Sequence, residues 1–183
     1  AARAVVDTAK AHSDGTLLLV ENNPGRLLQV NSANGRVSVV VPGLFKPYAV
    51  VRAPSGAVYL SVLGQLQRLD GAGPLTTVAE VPPGIEIGPI AAAPDGDVYF
   101  STATQIFRVP GGSGPAIHIA GTGAEGGGGD GGPALDAQFS SPHGLAIASD
   151  GALLVSDRGN DRVRRIDPVT GVINAFAQAA EQH

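Results

Sequence analysis

Four short segments, SDGTLLLV (13–20), PSGAVYLS (54–61), PDGDVYFS (94–101) and SDGALLVS (149–156), each set a turn glycine ahead of an apolar run. The four glycines, Gly15, Gly56, Gly96 and Gly151, stand 41, 40 and 55 residues apart, so one unit recurs along the chain and its last interval is lengthened. Self-similarity at a period of about 40 residues is the mark of a repeat architecture, in which each unit buries its apolar faces against its neighbours.

The internal pattern of the unit says what that architecture is. A second strand recurs as RLLQV (26–30), QLQRL (65–69), QIFRV (105–109) and RVRRI (162–166), each opening with Arg or Gln and aliphatic at its second and fifth positions. Aliphatics three apart break the in/out alternation of a sheet covered on one face, and a blade sandwiched between neighbours needs apolar cover on both. A further strand follows each of Gly35, Gly73, Gly114 and Gly171, and another apolar stretch precedes each anchor: AVVDTA, PYAVVRA, GPIAAA and PHGLAIA. Four strands per unit and four units predict an all-β fold, a β-propeller of four-stranded antiparallel blades. The expected repeats are 1–42, 43–83, 84–121 and 139–178 of a single propeller domain, with a glycine-rich connector at 122–138. A β-sandwich would show strands at similar spacing but not a repeated four-strand pattern with matching turns. Only the ends, 1–12 and 176–183, show any helical period.

Composition agrees with folding by burial. Charged residues make up 15% and hydrophobic ones 43%, while the 26 glycines and 14 prolines punctuate apolar runs instead of forming a disordered tract. No cysteine is present, which removes a disulfide framework, a thiolate metal site and a thiol nucleophile. No methionine occurs either, so the chain is expected to be a processed or excised product, with any signal or anchor outside it. No apolar run approaches the roughly 18 residues of a membrane span. The net charge of −4 gives no general attraction for nucleic acid or anionic lipid.

Residues 121–178, with the lead-in DGGPA, the strand SPHGLAI, the core SDRGNDRVRRID and the turn PVTG, resemble a bacterial NHL repeat. The other three units keep the period but lack the Asp and Asn of DRGN. The resemblance implies a propeller closed by more than four blades, commonly six. This chain is therefore expected to be part of a larger ring, or to complete one by homo-oligomerising through its end blades. Asp157 and Asn160 flank Gly159 and are expected to bond the turn's own backbone. Arg162, standing where Arg26, Gln65 and Gln105 stand elsewhere, is expected to bridge neighbouring units.

Candidate chemistry is sparse. In the peptide-amidating lyases, propellers with NHL-like repeats, a PHG-type sequence supplies one zinc-binding histidine from each of three blades. Here His143 is the single match, because Tyr48 and Gly88 hold the aligned positions, while His12, His118 and His183 fall in a turn, a fourth strand and the terminus. Catalytic zinc needs three converging ligands, so no metal, cofactor or catalytic residue is assigned. Calcium needs six or more oxygens, whereas Glu21, Asp97, Asp130, Asp136, Asp150 and Asp157 sit mostly in turns and share no channel-facing position. The stretch Gly126–Gly132 lacks the lysine–serine ending of a phosphate loop. The basic group Arg158, Arg162, Arg164 and Arg165 belongs to one repeat and lacks interleaved aromatics, which argues against nucleic acid. The sequence therefore points to a non-catalytic binding module for a protein or small ligand, similar to the propellers attached to bacterial extracytoplasmic receptors and kinases. Its ligand-binding candidates are His143, Tyr48, Arg158 and Arg164. The alternative is a metal-dependent lyase or lactone hydrolase with its site in a central channel.

Overall fold

The structure is a computed structural model that describes residues 6–11 and 15–178, with side chains from residue 15 onward. The chain packs as two compact units, Ala1–Ile87 and Gly88–His183. The first unit holds two sheets: β1 (Val6–Ala11), β2 (Thr16–Glu21), β3 (Arg26–Asn31) and β4 (Val37–Pro42), then β5 (Pro47–Arg52), β6 (Val58–Val62), β7 (Gln65–Leu69) and β8 (Leu75–Glu80). The second holds β9 (Ile90–Ala92), β10 (Val98–Ser101), β11 (Ile106–Val109) and β12 (Ile117–Ala120), then β13 (Pro142–Ile147), β14 (Leu153–Asp157), β15 (Arg162–Ile166) and β16 (Ile173–Gln178). Each sheet is an antiparallel meander whose spatial order follows the sequence. No α-helix occurs among the described residues; Val6–Ala11 and the stretch up to Gln178 are strands, which corrects the helical period read at the two ends, and the rest of those ends lies outside the described residues.

The repeat extends to irregularities that no sequence pattern announces. In every sheet the register between the third and fourth strands slips at the same place, between Leu27 and Leu28, Leu66 and Gln67, Ile106 and Phe107, and Val163 and Arg164. An extra residue on the fourth strand, Val40, Val78, Ile119 or Phe176, bends and twists each sheet alike.

The two-sided cover expected for a blade is present. Leu66 and Leu69 on β7 point to opposite faces and both are buried, as are Ile106 and Val109 on β11. The first unit's core joins Leu18, Val20 and Leu27 to Val50, Val58 and Leu60 of the next sheet, each worth about 1.5–3 kcal/mol if fully buried. In the second unit the connector is itself core: its Ala134 and Ala137, with Phe139 directly after it, pack with Ile106, Leu145, Val155 and Ile173. It also pairs with the outer edge of β16, where Gly131 N–H donates to Ile173 O at 2.8 Å and Ile173 N–H donates to Gly132 O at 3.0 Å.

One buried serine pair tests how far the repeats are equivalent. Ala49 N–H donates to the Oγ of buried Ser61 at 3.0 Å. The matching residue in the third repeat is Pro89, which has no N–H, and the equally buried Ser101 Oγ has no partner among the described residues. Ser61→Ala is expected to cost about 1–3 kcal/mol by orphaning the Ala49 amide, whereas Ser101→Ala is neutral or stabilising. Urea unfolding of both variants measures the contrast.

Candidate binding site

Antiparallel meanders place the start of the first and third strands, and the end of the second and fourth, at one end of each sheet. Three of the four sequence candidates lie there. In β5 the register slips between Pro47 and Ala49, and in β13 between Pro142 and Gly144, so Tyr48 and His143 are the extra residues of two equivalent bulges. A bulge leaves its residue outside the ladder and re-aims its side chain. The same slip in β1, between Val6 and Thr8, puts Asp7 at this position, which sequence reasoning passed over. The signal was available: Asp7, Tyr48, Gly88 and His143 each stand eight residues before their anchor glycine. His143 is exposed and Tyr48 half-buried.

The backbone entering both bulges is unusual in the same way. Lys46 (φ 48°) and Ser141 (φ 50°) both precede the strand's proline in left-handed conformations, and such strain concentrates at functional sites. Leu63, in the turn from β6 to β7, is also left-handed at φ 56°; for a bulky residue this is a genuine outlier. It is held by Leu63 N–H donating to Lys46 O at 3.3 Å and by Ile87 N–H donating to Leu63 O at 3.0 Å.

Around Leu63 the first unit opens a groove of about 830 Å³. Its apolar surface is offered outward, with Phe45 67%, Leu63 41% and Ile85 39% exposed. Beside it a smaller hollow of about 280 Å³ is bounded by Asn22, Lys46, Tyr48, Leu63 and Glu86. Lys46 and Glu86 form an exposed ion pair across it at 3.3 Å.

In the second unit the polar groups of DRGN do something other than cap their own turn. Asp157, fully buried, accepts from Ser140 N–H at 2.9 Å and from Asn160 Nδ2 at 2.9 Å, and Asn160 Nδ2 also donates to Gly126 O at 2.9 Å. These bonds reach 17 and 34 residues back along the chain, so the motif fastens the connector to the sheet. Gly159 is required by close approach: a Cβ there would meet Ser140 Cβ at 2.6 Å and Ser140 O at 2.8 Å.

Arg164, the fourth candidate, is fully buried. It donates to Asp130 Oδ1 at 2.9 Å, Gln138 O at 2.7 Å and Gly128 O at 3.1 Å, with its guanidinium 5.0 Å from the Phe139 ring centroid. Arg162 donates to Asp130 Oδ2 at 2.8 Å and to Gly127 O. Its expected role between units is corrected here, because it clamps the connector, while Arg26 pairs with Glu21 and Gln65 with Glu80 inside their own sheets. Arg165 bridges Asp150 at 2.7 Å and Asp167 at 3.2 Å. Asp167 is held down at about 2, first by the Thr170 and Val169 amides and then by Arg165. Only Arg158 of the basic group is exposed, in the turn Arg158–Asn160.

Among the described residues, no three His, Asp or Glu side chains stand together so as to hold a metal ion. His118 lies on β12, with Nε2 3.0 Å from Ala120 O, and His12 and His183 fall outside the described residues. No helix among the described residues is long and apolar enough to cross a membrane.

Residues 139–166 match the family model of the NHL repeat. The chain superposes on a streptogramin B lyase with a TM-score of 0.73 at 16% identity, covering 96% of this chain and 55% of that one. An auxiliary nutrient binding protein from Bacteroides ovatus matches with a TM-score of 0.78 at 17% identity, over 94% of this chain and 47% of that one. A putative gluconolactonase matches at 0.70 and 16% identity, over 97% and 65%. The chain thus spans about half the length of the first of these structures. Together with the four antiparallel meanders, these matches make the chain an all-β propeller chain whose residues 139–166 are an NHL repeat.

Proposed function

We propose that the chain is a non-catalytic NHL-type propeller module that recognises a small ligand or a protein segment through the loops at the bulged end of its blades. The observation that carries this reading is the groove of about 830 Å³ into whose rim a strained, exposed Leu63 is held. Concave apolar sites with a few polar groups are where ligands bind, and strain that serves no packing purpose points to function. Tyr48 is the further contact residue beside that groove, and within the second unit His143 and Arg158 are the candidate contact residues at the bulged end of its own sheets. Arg164 acts within the second unit at one remove, by fixing the connector that leads into β13. The nutrient binding protein among the solved structures supports the binding reading by analogy of fold alone.

Leu63→Gly separates function from architecture. Relief of the left-handed backbone, about 1–2 kcal/mol, offsets the added chain entropy of glycine, about 0.5–1 kcal/mol, so stability stays within about 1 kcal/mol. Combined with Phe45→Ser, the substitution is expected to raise the Kd for the fluorescent apolar probe 1-anilinonaphthalene-8-sulfonate about tenfold. An unchanged Kd sinks the groove reading.

The competing reading, a metal-dependent lyase or lactone hydrolase, is motivated by the lyase and gluconolactonase folds. It predicts stoichiometric zinc or calcium in the purified protein, and turnover of a streptogramin B or a gluconolactone that is lost in His143→Ala. Either result would replace the binding module.

A further inference from the structure

The opposite end of the second unit's sheets holds a separate concavity. Between β9–β12 and β13–β16, beside the turns that carry Gly96 and Gly151, lies a cleft of about 770 Å³. Its walls are apolar, with Tyr99, Ile119, Ile147 and the half-exposed Leu135 of the connector facing it. It lies at the far end of the sheets from His143 and Arg158, so it is distinct from the loops assigned above.

The charges around this cleft do not balance. Four carboxylates line it, Asp95, Asp97, Asp150 and Asp167. Two guanidiniums answer them. Arg108 is committed to buried Asp97, which also accepts from Gly111 N–H at 2.8 Å, and Arg165 is shared between Asp150 and Asp167. Asp95 has no cation partner among the described residues; one of its oxygens accepts the Asp97 amide at 3.0 Å, within the turn. The hydrogen bond from Arg165 holds Asp150 low and the Thr170 amide holds Asp167 at about 2, so both are ionised throughout the neutral range. The Tyr99 hydroxyl is pushed up by burial and stays neutral there, leaving its ring face available to a cation. His118 is the remaining titratable group on the wall.

We infer that this cleft binds a small organic cation: an ammonium head beside Asp95 at the mouth, with an apolar body lying against Tyr99, Ile119, Leu135 and Ile147. The excess negative charge selects the sign of the ligand. The volume selects its size, since clefts of about 300–1,000 Å³ take small molecules rather than folded partners.

Calorimetric titration of the whole chain with 1-naphthylmethylammonium, 1-naphthylmethanol and 1-naphthoate tests the inference. Saturable binding of the ammonium is expected, about fivefold or more tighter than the neutral alcohol, with no binding of the carboxylate. Asp95→Asn keeps the oxygen that accepts the Asp97 amide and is expected to erase the preference for the ammonium over the alcohol. Leu135→Ser, at an exposed position, is expected to weaken both ligands. Thermal unfolding of each variant confirms that it is folded, and the Leu63→Gly and His143→Ala variants should bind the ammonium as the parent does. Equal binding of ammonium and alcohol by the parent overturns the inference, as does an Asp95→Asn variant that keeps the preference. No saturation at about 1 mM, or tighter binding of a short arginine peptide than of the ammonium, overturns it as well. A failure here leaves the groove at Leu63 untouched, because the two sites share no residue.

Discussion

Arg164→Ala is expected to cost the second unit about 3–5 kcal/mol, the penalty for breaking a buried ion pair from one side. Both Arg164 and Asp157 are fully buried, and the guanidinium reaches Asp130, Gln138 O and Gly128 O at once. Removing it takes the guanidinium donor from Gln138 O, while Gly128 O keeps only the Gln138 amide at 3.1 Å, and it leaves Asp157 with Arg162 as its remaining cation, at 3.5 Å. Unsatisfied buried groups cost more than the net value of the bonds they made. Because Ala134 and Ala137 of the same connector, and Phe139 directly after it, are core, the loss should spread beyond the polar cluster. Urea unfolding followed by circular dichroism gives the magnitude, and amide exchange should show residues 125–140 opening first. Arg164→Lys keeps the charge but not the planar fork, so it should fall between parent and alanine. A cost under about 1 kcal/mol would mean that the connector is held by its apolar residues alone.

Gly25→Ala is expected to be as damaging in the first unit, for reasons of space. Gly25 has φ +85°, which costs an L-residue about 1–2 kcal/mol. In addition, a Cβ there would overlap Leu44 O and lie 3.0 Å from Leu44 C, atoms of the main chain that cannot swing aside. The two segments are tied together by Leu44 N–H donating to Gly25 O at 2.9 Å, and Leu44 is itself core, so separation breaks both a bond and a packing contact. A loss of about 3 kcal/mol or more follows, or a Tm fall of about 12–24 °C at about 4–8 °C per kcal/mol for a unit of this size. Gly35→Ala is the control: its φ of +68° carries the same backbone penalty, but nothing lies within 4 Å of the new carbon. It should lose about 1–2 kcal/mol only.

The candidate site was partly legible. The alignment of Tyr48 with His143 follows from counting back to the anchor glycines, and the bulges confirm that the two positions are equivalent. That Arg164 would be consumed inside the unit while Arg158 stayed exposed was not legible. Both belong to one run of arginines, and their fates differ because Asp130, Gly128 and Gln138, 26–36 residues away, fold back onto one and not the other. The grooves were invisible for a similar reason: Leu63 and Ile85 read as ordinary aliphatics until the backbone turns them outward.

By itself the sequence determined the repeat, the four strands of each unit and the antiparallel class, because turn glycines and apolar periodicity are local properties that each unit states again. The tertiary structure alone decided that the connector is core, that the DRGN motif clasps it, and that bulges aim Tyr48 and His143 away from the ladder. Those outcomes depend on which distant groups meet, and on the balance of buried charge and close backbone contact that only packing sets.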